Sequence, residues 1–350
     1  MIPVANIYYL LCYAWDVLDE MDRSQVDPDS FEMLPDLLGA VLTTGVRNIV
    51  KGGLHRHYME RDEPLRKLRG SPLFSESATR MEPPRAVLTC RFEEFTEDMD
   101  HNRLLKAALR IISRHPEASA DIRKKARQCL PAFHRVSDIL AAPHDFSRIV
   151  LDRSTRHYRL PLHIAKMIIA DFAPQESESG KDFRGFDTSS STTMGTLFER
   201  FLLRFYARNG REFGWRSSSP QVRWNATPRQ GANPSLLPIM NTDITLDRPS
   251  RSTIIEAKFY GGGAFTGRHN QPKFRSEHLY QLYAYLDNRS ASMTEADGEL
   301  TGLLLYADVA GGNITEPWTI GGHQMTIASV DLSAPWNDIH DRLMQLGHES

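Results

Sequence analysis

The chain lacks the features that would place it in a membrane, a secreted scaffold or a redox family. No stretch approaches eighteen uninterrupted apolar residues, so a membrane-spanning helix is not expected. The apolar opening Ile7-Tyr8-Tyr9-Leu10-Leu11-Cys12-Tyr13-Ala14-Trp15 has no basic region before it and no small-residue cleavage site after it, which argues against a signal peptide. Cysteine is scarce. Cys12, Cys90 and Cys129 stand far apart, fit no zinc or redox spacing, and read as free thiols of a reducing cytoplasm. An excess of one charge is missing too: 42 Lys and Arg against 44 Asp and Glu leave a formal charge of −2. Autonomous DNA binders are usually basic, because phosphate neutralisation supplies much of their affinity. A DNA-acting protein of this composition needs a local basic patch or a partner that holds the nucleic acid. There is no Gly-x-x-x-x-Gly-Lys-[Ser/Thr] run, so the chain has no P-loop of its own. Internal repeats and long low-complexity tracts are likewise absent.

What is present is 350 residues, 41% of them hydrophobic and 25% charged, enough for two ordinary globular domains. The first half reads as mainly helical with a small β element. Residues 6–19 are strongly apolar, and residues 31–46 carry leucine, valine and methionine at helical spacing. Two β-like runs, 55–60 and 86–92, flank residues 64–84, whose Arg, Ser and Pro content reads as a loop or projecting hairpin. Residues 100–130 predict two helices broken near Pro116, the first with Leu104, Leu105, Ala108, Ile111 and Ile112 on one face. Arg103, Lys106, Arg110 and Arg114 make a basic stripe on that helix, either a solvated surface or a contact surface for DNA or protein. Residues 173–193 mix Pro, Ser, Gly and charge without periodicity. They are the expected linker between an N-terminal domain, residues 1–172, and a second domain, residues 194–350.

The second domain alternates its elements clearly. Met194, Leu197, Phe198, Phe201, Leu202 and Phe205 recur at helical spacing after Ser and Thr residues suited to capping. Strand-like runs follow around 222–224, 237–246 and 253–260, with Asp247-Arg248-Pro249-Ser250 as turn chemistry between the last two. A helix at 277–287 and a buried strand at 302–309 complete an α-β-β-β-α-β order. A last strand at 325–332 and a helix with Trp336, Ile339, Leu343 and Leu346 on one face close the sequence. The expected class is α/β with a mixed central sheet.

In Ile254-Ile255-Glu256-Ala257-Lys258-Phe259-Tyr260 the side chains alternate, so Glu256 and Lys258 share a face opposite Ile255, Ala257 and Phe259. Such a pair on an otherwise apolar strand is costly unless it is ion-paired or binds an ion. Asp243 lies on the preceding strand among Ile239, Met240, Ile244 and Leu246, and antiparallel pairing about the turn brings it towards Glu256. Adjacent carboxylates repel, and the usual remedies are a raised pKa or a bound cation. Hard oxygen ligands suit Mg²⁺, and a neighbouring lysine can orient or deprotonate a water attacking a phosphodiester. The bare D…ExK triplet reads more simply as an ion-pair network, since such triplets arise by chance. Two further features shift the balance. Glu199, in the helix that opens the unit, is placed to supply a third acid, so that Glu199, Asp243 and Glu256 form the expected metal set. Gln281 and Tyr285 stand at i, i+4 on one helical face. Residues 261–276 contain no acid but carry Gly261-Gly262-Gly263, Arg268, His269, Lys273 and Arg275. This is either a solvated loop or a segment in which Arg268, Lys273 and Arg275 grip the DNA backbone.

An acid, then D, ExK and QxxxY in this order resembles the signature of PD-(D/E)xK nucleases and their restriction-endonuclease-like core. The likeness extends to longer runs: Ile2-Pro3-Val4-Ala5-Asn6-Ile7-Tyr8-Tyr9-Leu10-Leu11-Cys12-Tyr13-Ala14-Trp15, Met240-Asn241-Thr242-Asp243-Ile244-Thr245, Glu256-Ala257-Lys258-Phe259-Tyr260 and Leu279-Tyr280-Gln281-Leu282-Tyr283-Ala284-Tyr285-Leu286. These are similar to the McrC family, the nuclease subunits of McrBC restriction systems that act on modified cytosine. The resemblance implies an endodeoxyribonuclease using Mg²⁺, with Mn²⁺ as a substitute. It also implies an McrB-like AAA+ partner hexamer that recognises the modified base and hydrolyses GTP, a nucleotide this chain does not bind. The subunit would stimulate that GTPase and cut double-stranded DNA once translocation stalls. Asp243, Glu256 and Lys258 match the family's catalytic positions, with Gln281 and Tyr285 completing the site. Glu256 stands where such proteins often have Asp, one methylene shorter, which alters metal geometry slightly. The N-terminal half would dock on the ring, with residues 64–84 reaching into its pore. His55 and His57 stand at alternate strand positions without acid partners and make a poor metal site. Two other readings are a free-standing QxxxY exonuclease or recombination nuclease and a non-catalytic activator of an AAA+ ring. The first would often need a helicase module or a cysteine-bound iron–sulfur cluster, and the second sits badly with an intact D…ExK.

Overall fold

The computed structural model describes residues 2–19, 21, 26–79, 87–172, 175–177, 180–182, 191–259, 274–294, 298–308 and 312–350. The chain forms two compact units. One comprises Met1–Asp19, Asp27–Glu32 and Asp187–Ser350, and the other Glu20–Val26 and Met33–Phe186. The opening helix α1 (Val4–Ala14) therefore belongs with the C-terminal half and not, as expected from its place in the sequence, with a domain spanning residues 1–172. The reason is its composition. A helix apolar on nearly every side needs a core around it. Here Asn6 Nδ2 donates to the Leu332 and Ala334 carbonyls at 2.9 Å each, Tyr9 stacks on Trp336 at 4.6 Å, and Tyr13 meets Phe201 edge-on at 5.5 Å.

The second unit is built on helices. In α2 (Leu34–Gly52) the buried stripe Leu34, Leu37, Leu38, Val41, Leu42, Val46 and Ile49 follows helical spacing. Strand β1 (His57–Leu65) pairs antiparallel with β3 (Leu88–Thr96), whose other side takes the short β2 (Ser71–Pro72); a single-turn helix α3 (Phe74–Thr79) lies between β2 and β3 in sequence. The expected projecting segment at 64–84 is thus partly regular, and its last residues, 80–84, lie outside the described residues. Helices α4 (Asp100–Ile112) and α5 (Ala120–Cys129) break on either side of Pro116, and α6 (Arg159–Phe172) completes the unit's helices. Three residues of the basic stripe on α4 are taken up inside the unit. Arg103 grips Asp98 in a fork at 2.8 and 2.9 Å, while Lys106 and Arg110 share Asp138 at 2.9 and 2.8 Å. Only Arg114 of the four stays exposed without a role in this network. Inside the expected linker, β4 (Gln175–Ser177) pairs antiparallel with β5 (Gly180–Asp182).

The other unit is centred on a six-stranded mixed sheet. Helix α7 (Ser191–Asn209) enters first, with Met194, Leu197, Phe198, Phe201, Leu202 and Phe205 all buried, as their spacing predicts. Then come β6 (Arg216–Ser218), β7 (Gln221–Val222), β8 (Met240–Asn241), β9 (Ile244–Arg248), β10 (Arg251–Phe259), α8 (Ser276–Ser290), β11 (Glu299–Asp308), β12 (Thr315–Ile320), β13 (His323–Asp331) and α9 (Trp336–Glu349). The sheet order is β12-β13-β11-β10-β9-β6. Strands β10, β11 and β13 run parallel to one another, and α8 makes the crossover that the parallel β10–β11 pair requires. Strand β11 sits centrally, with Leu303, Leu304, Leu305 and Tyr306 fully buried, the continuous apolar run of a strand covered on both faces.

Two strands differ from expectation. The run at 222–224 contributes only the β7–β8 pairing, outside the main sheet, and the first strand of the sheet is β6. Neither β6 nor β12 was visible in the sequence. Both are edge strands whose outward side chains meet water, so no apolar alternation marks them.

Candidate active site

The β9–β10 hairpin places the first two acids. A two-residue turn, Pro249-Ser250, links the strands, and Ile244 pairs with Ile255. One further step along that register sets Asp243 opposite Glu256. Asp243 lies just beyond the ladder, and its Oδ2 accepts the Ala257 backbone N–H at 2.9 Å. The segment before it is held by polar contacts that no pattern in the sequence marks. Thr242 N–H donates to the Pro220 carbonyl at 3.2 Å, and Ser219 Oγ donates to the Thr242 carbonyl at 2.6 Å.

Side-chain alternation along β10 puts Ile254, Glu256 and Lys258 on one face. Ile254 packs with Leu282, Tyr285 and Leu286, so this is the face that α8 covers. Lys258 Nζ donates to Glu256 Oε1 and, at 3.2 Å, to Gln281 Oε1. Gln281 Nε2 then donates to the Tyr285 hydroxyl at 3.0 Å, the i, i+4 contact their spacing predicts. The structure thus brings Asp243, Glu256, Lys258, Gln281 and Tyr285 into one polar chain. A further member is His278, one turn before Gln281. Its Nδ1 lies 2.9 Å from the hydroxyl of Tyr306, which stands beside Lys258 across the β10–β11 ladder. A lone histidine on a helix gave no signal except its i, i+3 relation to Gln281.

Burial governs the electrostatics. Glu256 is 0% exposed, and desolvation followed by the Asp243 charge pushes its carboxyl up to about 7 despite Lys258. Asp243 is also pushed up by burial, against the Ala257 N–H and the lysine. Glu199 rises through burial and through the Asp243 charge. For Lys258, burial pulls the ammonium down, but Glu256, Asp243 and Glu199 together outweigh it and the net shift is upward. Burial first, then the Lys258 charge, lowers His278 to about 4, so that imidazole is neutral at neutral pH.

The Glu256 Oε2 atom is buried and takes no N–H or hydroxyl donor among the described residues, and the Asp243 carboxyl lies within hydrogen-bonding reach of the Glu256 side chain. An orphaned carboxylate oxygen beside a second carboxylate can be satisfied by a shared proton or by a hard cation, and the oxygen donors fit Mg²⁺. The expected three-acid ligand set is not assembled as one cluster. Among the described residues no three His, Cys, Asp or Glu side chains stand together closely enough to hold a metal, and Glu199 acts on the pair through its charge. Of the expected DNA-backbone contacts, Arg275 is exposed before α8 and lies 3.5 Å from Glu277, while Arg268 and Lys273 lie outside the described residues.

Fold and site together define an α/β protein whose mixed sheet carries a buried carboxylate pair beside a lysine. The model of the family described as "McrBC 5-methylcytosine restriction system component" matches residues 5–307, and the chain belongs to that family. It is 29% identical over 350 residues to the "Type IV methyl-directed restriction enzyme EcoKMcrBC" of Escherichia coli (strain K12), covering 100% of this chain and 98% of that protein. Among solved structures it resembles, at 17% identity and a TM-score of 0.55, a chain of the "Refined half-complex from tetradecameric assembly of Thermococcus gammatolerans McrB AAA+ hexamers with bound McrC". The match covers 99% of this chain and 76% of that one, and it supports the fold alone.

Proposed function

We propose that this chain is the DNA-cutting subunit of a GTP-dependent, McrBC-type restriction complex, hydrolysing phosphodiester bonds in DNA that contains modified cytosine. The observation that carries the reading is the fully buried Glu256 carboxylate beside Asp243, with Oε1 taken by Lys258 and Oε2 left without a donor. A buried carboxylate oxygen without a donor, next to a second carboxylate, calls for a shared proton or a bound cation. Membership of the McrBC family gives the substrate class its support, as does the methyl-directed relative.

In this reading the restriction-endonuclease-like core is α7-β6-β9-β10-α8-β11, and Asp243 and Glu256 hold Mg²⁺ while Glu199 adds negative charge nearby. A divalent ion held by the Asp243 and Glu256 carboxylates would supply Lewis-acid charge to the reaction. Lys258 is held beside the carboxylates, which without a divalent ion push its pKa up. It orients the attacking water and offsets charge that develops on the phosphoryl oxygens. Gln281, itself held by Tyr285, fixes the lysine beside the carboxylates. The Ala257 N–H fixes Asp243.

The proposed partner is an McrB-like AAA+ GTPase hexamer, which the solved assembly contains in its own case. A formal charge of −2 and the missing P-loop suit a subunit that receives DNA from a motor and stimulates the motor's GTPase. The helical unit is the proposed docking part. The proposed setting is the cytoplasm. Cys90 and Cys129 are buried free thiols, as a reducing compartment keeps them. The test is cleavage of methylated plasmid with Mg²⁺, with and without the neighbouring NTPase and GTP. Cutting is expected only in the complete mixture; robust cutting by the chain alone would overturn partner dependence.

A further inference from the structure

At the C-terminal end of α8 lies a groove that none of the roles above uses. From residue 213 to residue 242 the sequence contains no Asp or Glu but has Arg216, Arg223 and Arg229. Within this stretch, Arg223, Trp224 and Asn225 face Asn288, Arg289 and Ser292 at the end of α8 across a cavity of about 310 Å³. The groove is built rather than incidental. Asn225 N–H donates to Asn288 Oδ1 at 2.7 Å, and Asn288 Nδ2 in turn donates to the Ala284 carbonyl at 2.8 Å. The Trp224 indole N–H is spent on the Pro238 carbonyl at 2.6 Å. That bond fixes the ring and leaves its face, with the residue 39% exposed, as what it offers a ligand.

Charge selects the ligand. Among the described residues neither Arg223 nor Arg289 has a carboxylate partner, whereas Arg103 and Arg110 on the helical unit are both paired. Two uncompensated guanidinium groups flanking an indole face suit a chain of phosphates that carries bases, since every base has a face to stack. Size narrows the choice. The cavity falls at the small end of ligand-sized pockets, about the size of one nucleotide. Position ties it to the site. Asn288 lies two turns beyond Gln281 on the same helix, about 10 Å at ~1.5 Å per residue.

We propose that this groove is a binding subsite for single-stranded DNA, in which one base stacks on Trp224 while Arg223 and Arg289 hold the adjoining phosphates of the strand being cut. The proposal rests on the nuclease reading of the Asp243–Glu256–Lys258 site. It implies that the strand being cut is locally unpaired as it passes α8.

The test uses the full chain at low salt in EDTA, with a short fluorescein-labelled oligo(dT) read by fluorescence anisotropy. Trp224→Ala is expected to weaken binding about tenfold or more, and Trp224→Phe to keep most of it. Arg223→Gln combined with Arg289→Gln is expected to reduce the slope of log affinity against log salt by about 0.7 for each phosphate that these arginines no longer neutralise. Wild-type affinity and slope in both the Trp224→Ala and the double-arginine variants would overturn the subsite, as would a wild-type chain that does not bind oligo(dT). Cleavage by the complete complex with Mg²⁺ separates the two readings. Wild-type cutting that depends on Lys258, together with unaltered oligo(dT) binding by the groove variants, sinks the groove and leaves the nuclease. Cutting that ignores Lys258 sinks the nuclease reading on which the groove depends.

Discussion

Glu256 sets the energetics of the site. Its carboxyl moves from an ordinary 4.5 to about 7 because it is desolvated and faces Asp243, which shifts in the same direction. The folded chain therefore keeps a proton that the unfolded chain releases between about pH 4.5 and 7. Without divalent ions, stability should fall as pH rises through that window, by on the order of 3 kcal/mol from Glu256 alone. Urea denaturation in EDTA at the two ends of the window reads this directly. Glu256→Gln should flatten the difference, and an unchanged slope in that variant would contradict the assignment. At this scale the sequence was informative wherever a period was at work. Alternation along β10 paired Glu256 with Lys258, and i, i+4 spacing paired Gln281 with Tyr285. It was silent about contacts that depend on the fold: the Thr242 and Ser219 anchors of Asp243, and His278 against Tyr306. The basic stripe on α4 shows the same limit, because its acid partners Asp98 and Asp138 lie outside the helix.

Among the elements, the hairpin β9–β10 and the helix α8 carry the site, and a single glycine holds the hairpin's turn against the next strand. Gly298, just before β11, has φ +76°, and a Cβ there would meet the Ser250 carbonyl oxygen at 2.4 Å and its carbon at 2.7 Å. Both neighbours are backbone, and Ser250 also accepts the Glu299 N–H at 3.0 Å, so neither can give way cheaply. Gly298→Ala should lower stability by about 1–3 kcal/mol, read as a shift in the urea midpoint. A change within the ~0.5 kcal/mol usual for surface substitutions would show that the turn is looser than described. Buried elements announce themselves in sequence because a core imposes a period: α7, β10, β11 and α9 were all expected near their observed positions. The edges β6 and β12 were not. Arg216–Ser218 has no apolar residue, and Thr315–Ile320 turns most of its side chains to water, Trp318 and Pro317 among them.

At the scale of the molecule, the helix α1 was legible as a helix but not as part of the unit built from the C-terminal half, since sequence proximity favours its neighbours and only packing against Phe201 and Trp336 decides otherwise. Near-neutral charge and the lack of a P-loop were legible, and they support the proposal that the site belongs to a subunit supplied with DNA by a motor. The central claim is that Asp243, Glu256 and Lys258 cut DNA while a partner supplies it. The most direct measurement compares Lys258→Ala and Asp243→Ala with the wild type in the assembled complex, following plasmid cleavage and GTP hydrolysis in the same tube with methylated DNA and Mg²⁺. Cleavage should fall by about a hundredfold or more in both variants, the order of loss seen when a group that stabilises transition-state charge is removed, while GTP hydrolysis persists. Undiminished cutting by either variant would contradict the account.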